Sequence, residues 1–437
     1  MKTSFFSDLL ATLFDRPLWL EATPSAQPMH ELCKELLAGS GEITGMRTAR
    51  TILSRYKSMT KEEKITFFQY LTEELDVDAS AIIAAARQYG ASPDARGFAK
   101  LSEASEPPRQ EFLRRLNRVP GATGELVRMR LDLLGLCDKY PEFARADIDF
   151  VHLFKSWFNR GFLVLRHIDW HTPANILEKI IEYEAVHAIN SWDELRRRLL
   201  PVDRRCFAFF HPAMVDEPLI FVEVALLRDI PGSIQAVLAE ERHHIQPAQA
   251  DTAVFYSISN CQAGLKGISF GNSLIKQVVE ELSQEMPNLK NFVTLSPIPG
   301  LSRWLEKRAE NHDEIAKKVL VASENGDGDV AALRDDLRAL ASVYLLEEKR
   351  SDGLPIDPVA RFHLGNGASV HEVHALADKS ANGLKQSCGA MVNYLYDLKT
   401  VEQNHENFVT QNIVASSRSV KAAAKSASMK RGTVANV

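Results

Sequence analysis

Cysteine is sparse and never paired. Cys33, Cys137, Cys206, Cys261 and Cys388 are the only five in 437 residues and no CxxC occurs, which excludes a disulfide framework and a zinc site of the usual spacing and points to a reducing compartment. Charge of one sign is lacking as well. A net charge of −5 offers no general attraction to a nucleic-acid backbone or an anionic membrane surface, so neither partner is expected. Long apolar runs are missing, and nothing approaches the length that spans a bilayer. The opening segment is interrupted by Asp8 and Asp15, unlike a secretory signal or an arginine-rich transit peptide. The end, Ala-Asn-Val, is not a peroxisomal tail. Cytoplasm is therefore the expected location.

What is present has the composition of a globular protein, 45% hydrophobic and 25% charged, at a length that suggests two domains. The first third reads as helical throughout. Thr60-Lys-Glu-Glu63 is a capping box ahead of an apolar run at helical spacing. Amphipathic segments cover roughly residues 29–37, 78–89 and 109–136, the last broken at Val119-Pro-Gly-Ala. This pattern predicts an antiparallel bundle over residues 1–155. No metal-like cluster of His, Asp or Glu interrupts its apolar stripes.

Near Trp157 the character changes. Strand-like runs at residues 162–170, 206–211, 219–226, 254–258 and 291–296 are separated by turns and by helices at about 173–184 and 192–200. These predict an α+β domain over residues 156–437. A helical insertion is expected at about 302–348, and the Ser-, Ala- and Lys-rich tail from about 416 is expected to be mobile.

Between the strand at Val254-Phe-Tyr-Ser-Ile-Ser and a helical run ending near Leu282 lies Gln262-Ala-Gly-Leu-Lys-Gly-Ile-Ser-Phe-Gly271. Strand, glycine-spaced loop and helix in that order place backbone N–H groups where a phosphate can meet them. Gly264, Gly267 and Gly271 permit positive φ and close approach. Gln262 stands where a dinucleotide fingerprint has its first glycine. The loop is closer to the Gln/Arg-x-x-Gly-x-Gly/Ala loop with which N-acetyltransferases hold the pyrophosphate of coenzyme A.

Ser296 ends a strand just before Pro297-Ile-Pro-Gly300, a position that suits either a turn residue or an aimed hydroxyl. His363, between Phe362 and Leu364 and ahead of Gly365-Asn-Gly367, suits either a core histidine or a proton carrier. Two histidines three apart, His371-Glu-Val-His374, make a poor zinc pair, and no metal is expected. His243-His244 reads as solvated surface. Ser257 and Ser259 alternate along a strand with no evident base nearby.

Taken together, the motifs resemble the malonyl-CoA decarboxylase family. The resemblance is carried by His211-Pro-Ala-Met-Val-Asp-Glu-Pro-Leu219, Phe255-Tyr-Ser-Ile-Ser259, Gly264-Leu-Lys-Gly267 with Gly271 and Leu274-Ile-Lys276, and Leu295-Ser-Pro-Ile-Pro-Gly300. It continues through Pro358-Val-Ala, Phe362-His-Leu, Asn366-Gly-Ala368 and Ser387-Cys-Gly389 with Asn393-Tyr394 and Tyr396. It implies an N-terminal all-α helical bundle, an oligomerisation element, followed by an N-acetyltransferase-like, coenzyme A-binding α+β domain. It places the catalytic serine and histidine on Ser296 and His363, with Tyr396 in the same pocket. The acyl-CoA loop falls on Lys266, Gly267, Ile268, Ser269, Phe270, Gly271 and Asn272, with Asn393 as a further substrate-binding residue. Eukaryotic members often have an acidic residue where this chain has Ser269, so no carboxylate role carries over there.

The implied reaction converts malonyl-CoA to acetyl-CoA and CO₂ through a thioester enolate. His363 would be the proton donor and Ser296 its hydrogen-bonding partner, with backbone amides of the glycine loop candidates for steadying the enolate oxygen. No cofactor is expected, since coenzyme A belongs to the substrate and the thioester is itself the electron sink. A homo-oligomer is expected from the family. A coenzyme A-dependent acyltransferase and a non-catalytic malonyl-CoA-binding scaffold are the competing readings.

Overall fold

The structure, a computed structural model, describes residues 27–39, 41–268, 274–325 and 327–434. It forms two compact units: Met1–Val164 with Phe210–Glu217 and Gln262–Phe270, and Leu165–Phe209 with Pro218–Cys261 and Gly271–Val437.

The first unit is helical, as its periodicity predicts. Thr60 accepts from the Glu63 amide at 3.3 Å while the Glu63 carboxylate accepts from the Thr60 amide at 2.8 Å, so the capping box forms and starts helix Lys61–Glu73. Its buried Phe67 and Phe68 meet Phe112 and Phe143 ring to ring. The break expected at Val119-Pro-Gly-Ala separates helices Pro108–Leu116 and Ala122–Leu134. Deep in this unit the Arg109 guanidinium is held by Asp149 and by Asp76, a paired arrangement that makes a buried charge tolerable.

Within the span 156–437 read as the catalytic domain, residues 210–217 and 262–268 group with the helices of the first unit, for local reasons. The His211 ring nitrogen Nε2 lies 3.0 Å from the Trp157 carbonyl oxygen. Gly264 sits so close to helix Ala122–Leu134 that a Cβ there would come 2.0 Å from the Val127 oxygen.

The second unit is α+β. Its sheet comprises β1 (Val164–Ile168), β2 (Arg204–Phe210), β3 (Pro218–Leu227), β4 (Thr252–Asn260), β5 (Asn291–Thr294), β6 (Ser296–Pro297), β7 (Ser369–His374) and β8 (Met391–Leu395), in the order β1-β2-β3-β4-β5-β8-β6 with β7 on β8. Strands β3 and β4 are antiparallel, and a one-residue shift after Glu223 leaves Tyr256 as an extra residue in β4. Such a bulge bends the strand that carries it. Strands β4 and β5 are parallel and pair only from Thr252↔Asn291 to Phe255↔Thr294. One more bond, Leu295 N–H to the Phe255 oxygen at 3.0 Å, closes the pair; the chain then leaves β4, and Ser296 and Pro297 pair with β8. The two strands part at this point, and Ser296 stands at the fork.

Helices Leu301–Glu310, Glu314–Asn325, Asp327–Ala332 and Arg334–Leu346 fill the expected insertion. The tail departs from expectation. Residues Arg418–Val434 form a helix with Val420, Ala424 and Ala427 buried at positions i, i+4 and i+7, one face of a helix. Small side chains that read as low complexity are the ones that let this helix pack closely.

Candidate active site

Val293 and Leu295 point into an apolar core with Ala225, Val254 and Tyr256. By strand alternation Thr294 and Ser296 face the other way, and the Ser296 hydroxyl donates to Thr294 Oγ1 at 2.8 Å. His363 comes from helix Pro358–Gly365. Asp357 caps this helix by accepting from the Ala360 amide at 2.8 Å, and Pro358 takes its first position, where a missing N–H costs nothing. His363 lies in the last turn and brings Nε2 to 3.1 Å from Ser296 Oγ and Nδ1 to 2.8 Å from the Tyr396 hydroxyl. Its ring stacks on Tyr394 at 4.6 Å between centroids.

The Ser296 hydrogen is committed to Thr294, so the chain of bonds closes in one sense. Nε2–H of His363 donates to Ser296, and the Tyr396 hydroxyl donates to Nδ1. All four groups are almost wholly buried, with Thr294 at 0%, Ser296 at 6%, His363 at 3% and Tyr396 at 2% exposure. Burial pushes the His363 imidazole down to about 3 and the Tyr396 phenol well above its usual range, because the charged form of each is disfavoured away from water. The resting site is thus neutral, with one imidazole proton and one phenolic proton in line.

His187, partly buried, is pushed down to about 4 by the same cause. An unfolded imidazole titrates near 6.5. Between that value and about 4 the unfolded chain therefore binds protons that the folded chain does not, so these rings contribute stability that is complete above pH 6.5 and lost as pH falls. Urea midpoints of the wild type should drop as pH is lowered from about 7 to 5, and His363→Asn should remove about one proton from that dependence. Identical slopes in the two proteins would contradict a neutral buried ring.

The other expected site residues separate into three groups. Lys266 and Gly267 are exposed on a turn of the helical unit and Ile268 is buried beneath it. Ser269, Phe270, Gly271 and Asn272 lie outside the described residues. Asn393, expected at the substrate, is fully buried, and its amide nitrogen donates to the Thr294 carbonyl at 2.9 Å and the Pro231 carbonyl at 3.3 Å while its oxygen meets His374. Through these bonds it braces the strand that presents Ser296.

Sequence reasoning missed Thr294, Tyr394 and Asp357, although an Asp-Pro pair ahead of an apolar run is a legible helix start. It also missed Glu184, whose buried carboxylate accepts from the Ser257 hydroxyl at 2.7 Å and from the Val186 and His187 amides at 2.8 Å. That carboxylate ties the chain after helix Ala174–Tyr183 to β4. His371 and His374 lie on a strand, and no group of three or more His, Cys, Asp or Glu placed to hold a metal occurs among the described residues.

Family profiles match both parts of the chain: "Malonyl-CoA decarboxylase C-terminal domain" over residues 161–434 and "Malonyl-CoA decarboxylase N-terminal domain" over residues 75–158. The chain belongs to the malonyl-CoA decarboxylase family. A goose (Anser anser anser) relative named malonyl-CoA decarboxylase, mitochondrial, is 36% identical over 345 residues, 71% of this chain and 68% of that protein. The solved malonyl-CoA decarboxylase from Agrobacterium vitis matches with a TM-score of 0.86 at 48% identity, over 91% of this chain and 99% of that one. The one from Rhodopseudomonas palustris matches with a TM-score of 0.85 at 47% identity, over 90% and 98%. No helix among the described residues of this decarboxylase-family chain is long and apolar enough to cross a membrane.

Proposed function

We propose that His363 is the proton donor and Ser296 its hydrogen-bonding partner in the reaction of this carboxy-lyase family, the conversion of malonyl-CoA to acetyl-CoA and CO₂. The observation that carries this reading is the buried chain Thr294–Ser296–His363–Tyr396 at the fork between β4 and β5. The bond between C2 of the malonyl group and its carboxylate carbon breaks, CO₂ leaves, and the electron pair passes into the thioester as an enolate. On substrate binding the Ser296 hydroxyl turns its one hydrogen from Thr294 to the departing carboxylate, while its oxygen lies beside Nε2 and orients the imidazole. Nε2–H of His363 protonates C2, the Tyr396 proton moves to Nδ1, and water restores the phenol. A neutral buried imidazole suits this role, because the transfer never leaves a bare imidazolium in an apolar site.

Lys266 to Asn272 form the loop for the coenzyme A pyrophosphate in this reading. No further cofactor is required. A homo-oligomer assembled through the helical unit fits the exposed Ile43, Ile83, Phe98 and Ile148 on its surface, and light scattering measures it. Five scattered cysteines without a CxxC fit a cytoplasmic location, which cell fractionation tests.

Incubation of the purified protein with malonyl-CoA, without metal or acceptor amine, should yield acetyl-CoA catalytically. Binding without product would instead favour an acyltransferase awaiting its acceptor or a sensor. Tyr396→Phe deletes the donor to Nδ1, and loss of one buried hydrogen bond predicts a kcat about tenfold lower with KM little changed. Full turnover in that variant would remove Tyr396 from the relay.

A further inference from the structure

Arg130, on helix Ala122–Leu134, is 2% exposed. One edge of its guanidinium is neutralised by Asp147, with Nε to Oδ1 at 2.7 Å and Nη2 to Oδ2 at 3.3 Å. The remaining arm, Nη1, donates to two main-chain carbonyls of the glycine loop, those of Gly264 at 2.7 Å and Lys266 at 2.9 Å. Burying a guanidinium is costly unless it is both paired and hydrogen-bonded. Here the charge is already met by Asp147, so what Arg130 adds at the loop is direction.

That direction has a consequence at one peptide group. Ile268 N–H bonds to the Leu265 carbonyl at 2.9 Å, with Lys266 at φ −52 and ψ 128 and Gly267 at φ +80. These are the angles of a type II turn, whose third position requires positive φ. The C=O and N–H of a trans peptide point in opposite directions. With the Lys266 carbonyl turned to Arg130, the Gly267 amide is aimed away from the protein interior, on the side where Lys266 and Gly267 are exposed. A Cβ at Gly267 would meet no atom of the described residues within 4 Å, so none of them crowds that amide.

We propose that Arg130 is a positioning residue for anion binding: it locks the Lys266–Gly267 peptide with its amide facing the pyrophosphate of the acyl-CoA, alongside the Lys266 ammonium. Arg130 then acts on affinity for the pyrophosphate and leaves the chemical step alone. The inference rests on the loop reading given above.

The test compares Arg130→Gln and Arg130→Lys with the wild type on malonyl-CoA and on malonyl-pantetheine, which carries the same thioester without the pyrophosphate. The expected result is a KM for malonyl-CoA about tenfold higher in both variants, the scale of a lost charge-assisted hydrogen bond, with kcat and the kinetics on malonyl-pantetheine within about twofold. A parallel loss on both substrates would make Arg130 merely structural and overturn the proposal, as would no change on either. Should Arg130→Gln fail to fold, Arg130→Lys keeps the ion pair with Asp147 but cannot span both carbonyls, and carries the test. A wild type that does not distinguish the two substrates would sink the loop reading itself, and the proposal with it.

Discussion

His363→Ala should lower kcat for malonyl-CoA by about a hundred- to ten-thousandfold while KM moves by less than about threefold, the range expected when a positioned proton donor is removed. The ring is the junction of the buried chain of bonds, joined through Nε2 to Ser296 and through Nδ1 to Tyr396, and neither of these partners belongs to the glycine loop that is proposed to hold the pyrophosphate. Ser296→Ala should be milder, about ten- to a hundredfold in kcat, because the imidazole keeps its second anchor at Tyr396 and its stack on Tyr394. Stopped assays that follow acetyl-CoA separate kcat from KM. Unchanged turnover in both variants would take these two residues out of the mechanism.

Gly264→Ala should lower the melting temperature by about 5–10 °C, from an overpacking cost of about 1–3 kcal/mol together with lost buried hydrogen bonds. It should also raise KM for malonyl-CoA more than it lowers kcat. A Cβ at this position would lie 2.0 Å from the Val127 oxygen and 2.9 Å from both the Val127 carbonyl carbon and Cγ1. A helix carbonyl cannot rotate out of the way, so the turn must lift off helix Ala122–Leu134 and leave the reach of Arg130. Gly267→Ala is the matched control. Among the described residues it meets no atom within 4 Å, and it bears the strain of φ +80, about 1–2 kcal/mol. Calorimetry that found the two variants equally stable would contradict the close packing of Gly264.

Local elements were legible. Thr60 and Glu63 announce a helix because a capping box needs only four consecutive residues, and the bundle followed from apolar spacing alone. Strands β1 to β5 were legible for the same reason, as apolar runs bounded by turn residues, whereas β7 and β8 were not among the runs read as strands. Their arrangement was not legible. Strand β8 lies between β5 and β6 although β5 and β6 are neighbours in the chain, and no local pattern in Met391-Val-Asn-Tyr-Leu specifies that partner. The same gap explains why the bonds of Asn393 to Thr294, Pro231 and His374 were not legible. It also explains the tail, where Ser, Ala and Lys read as unstructured until a packing partner for Val420, Ala424 and Ala427 is known.

By itself the sequence determined the helical first third, the α+β class of the remainder, the glycine loop, and the family, through motifs that keep their order across the chain. These are properties of neighbours along the chain, where periodicity, capping and glycine content act directly. Only the tertiary structure decided that Ser296 and His363, 67 residues apart, meet at 3.1 Å, that Tyr396 completes the relay, and that Arg130 of the helical unit grips a loop 134 residues away. It also decided the charge state of the site. Desolvation of His363 depends on what surrounds the ring in space, and the side chains that exclude water from it are brought there by strand pairing and helix packing, which no single stretch of residues encodes.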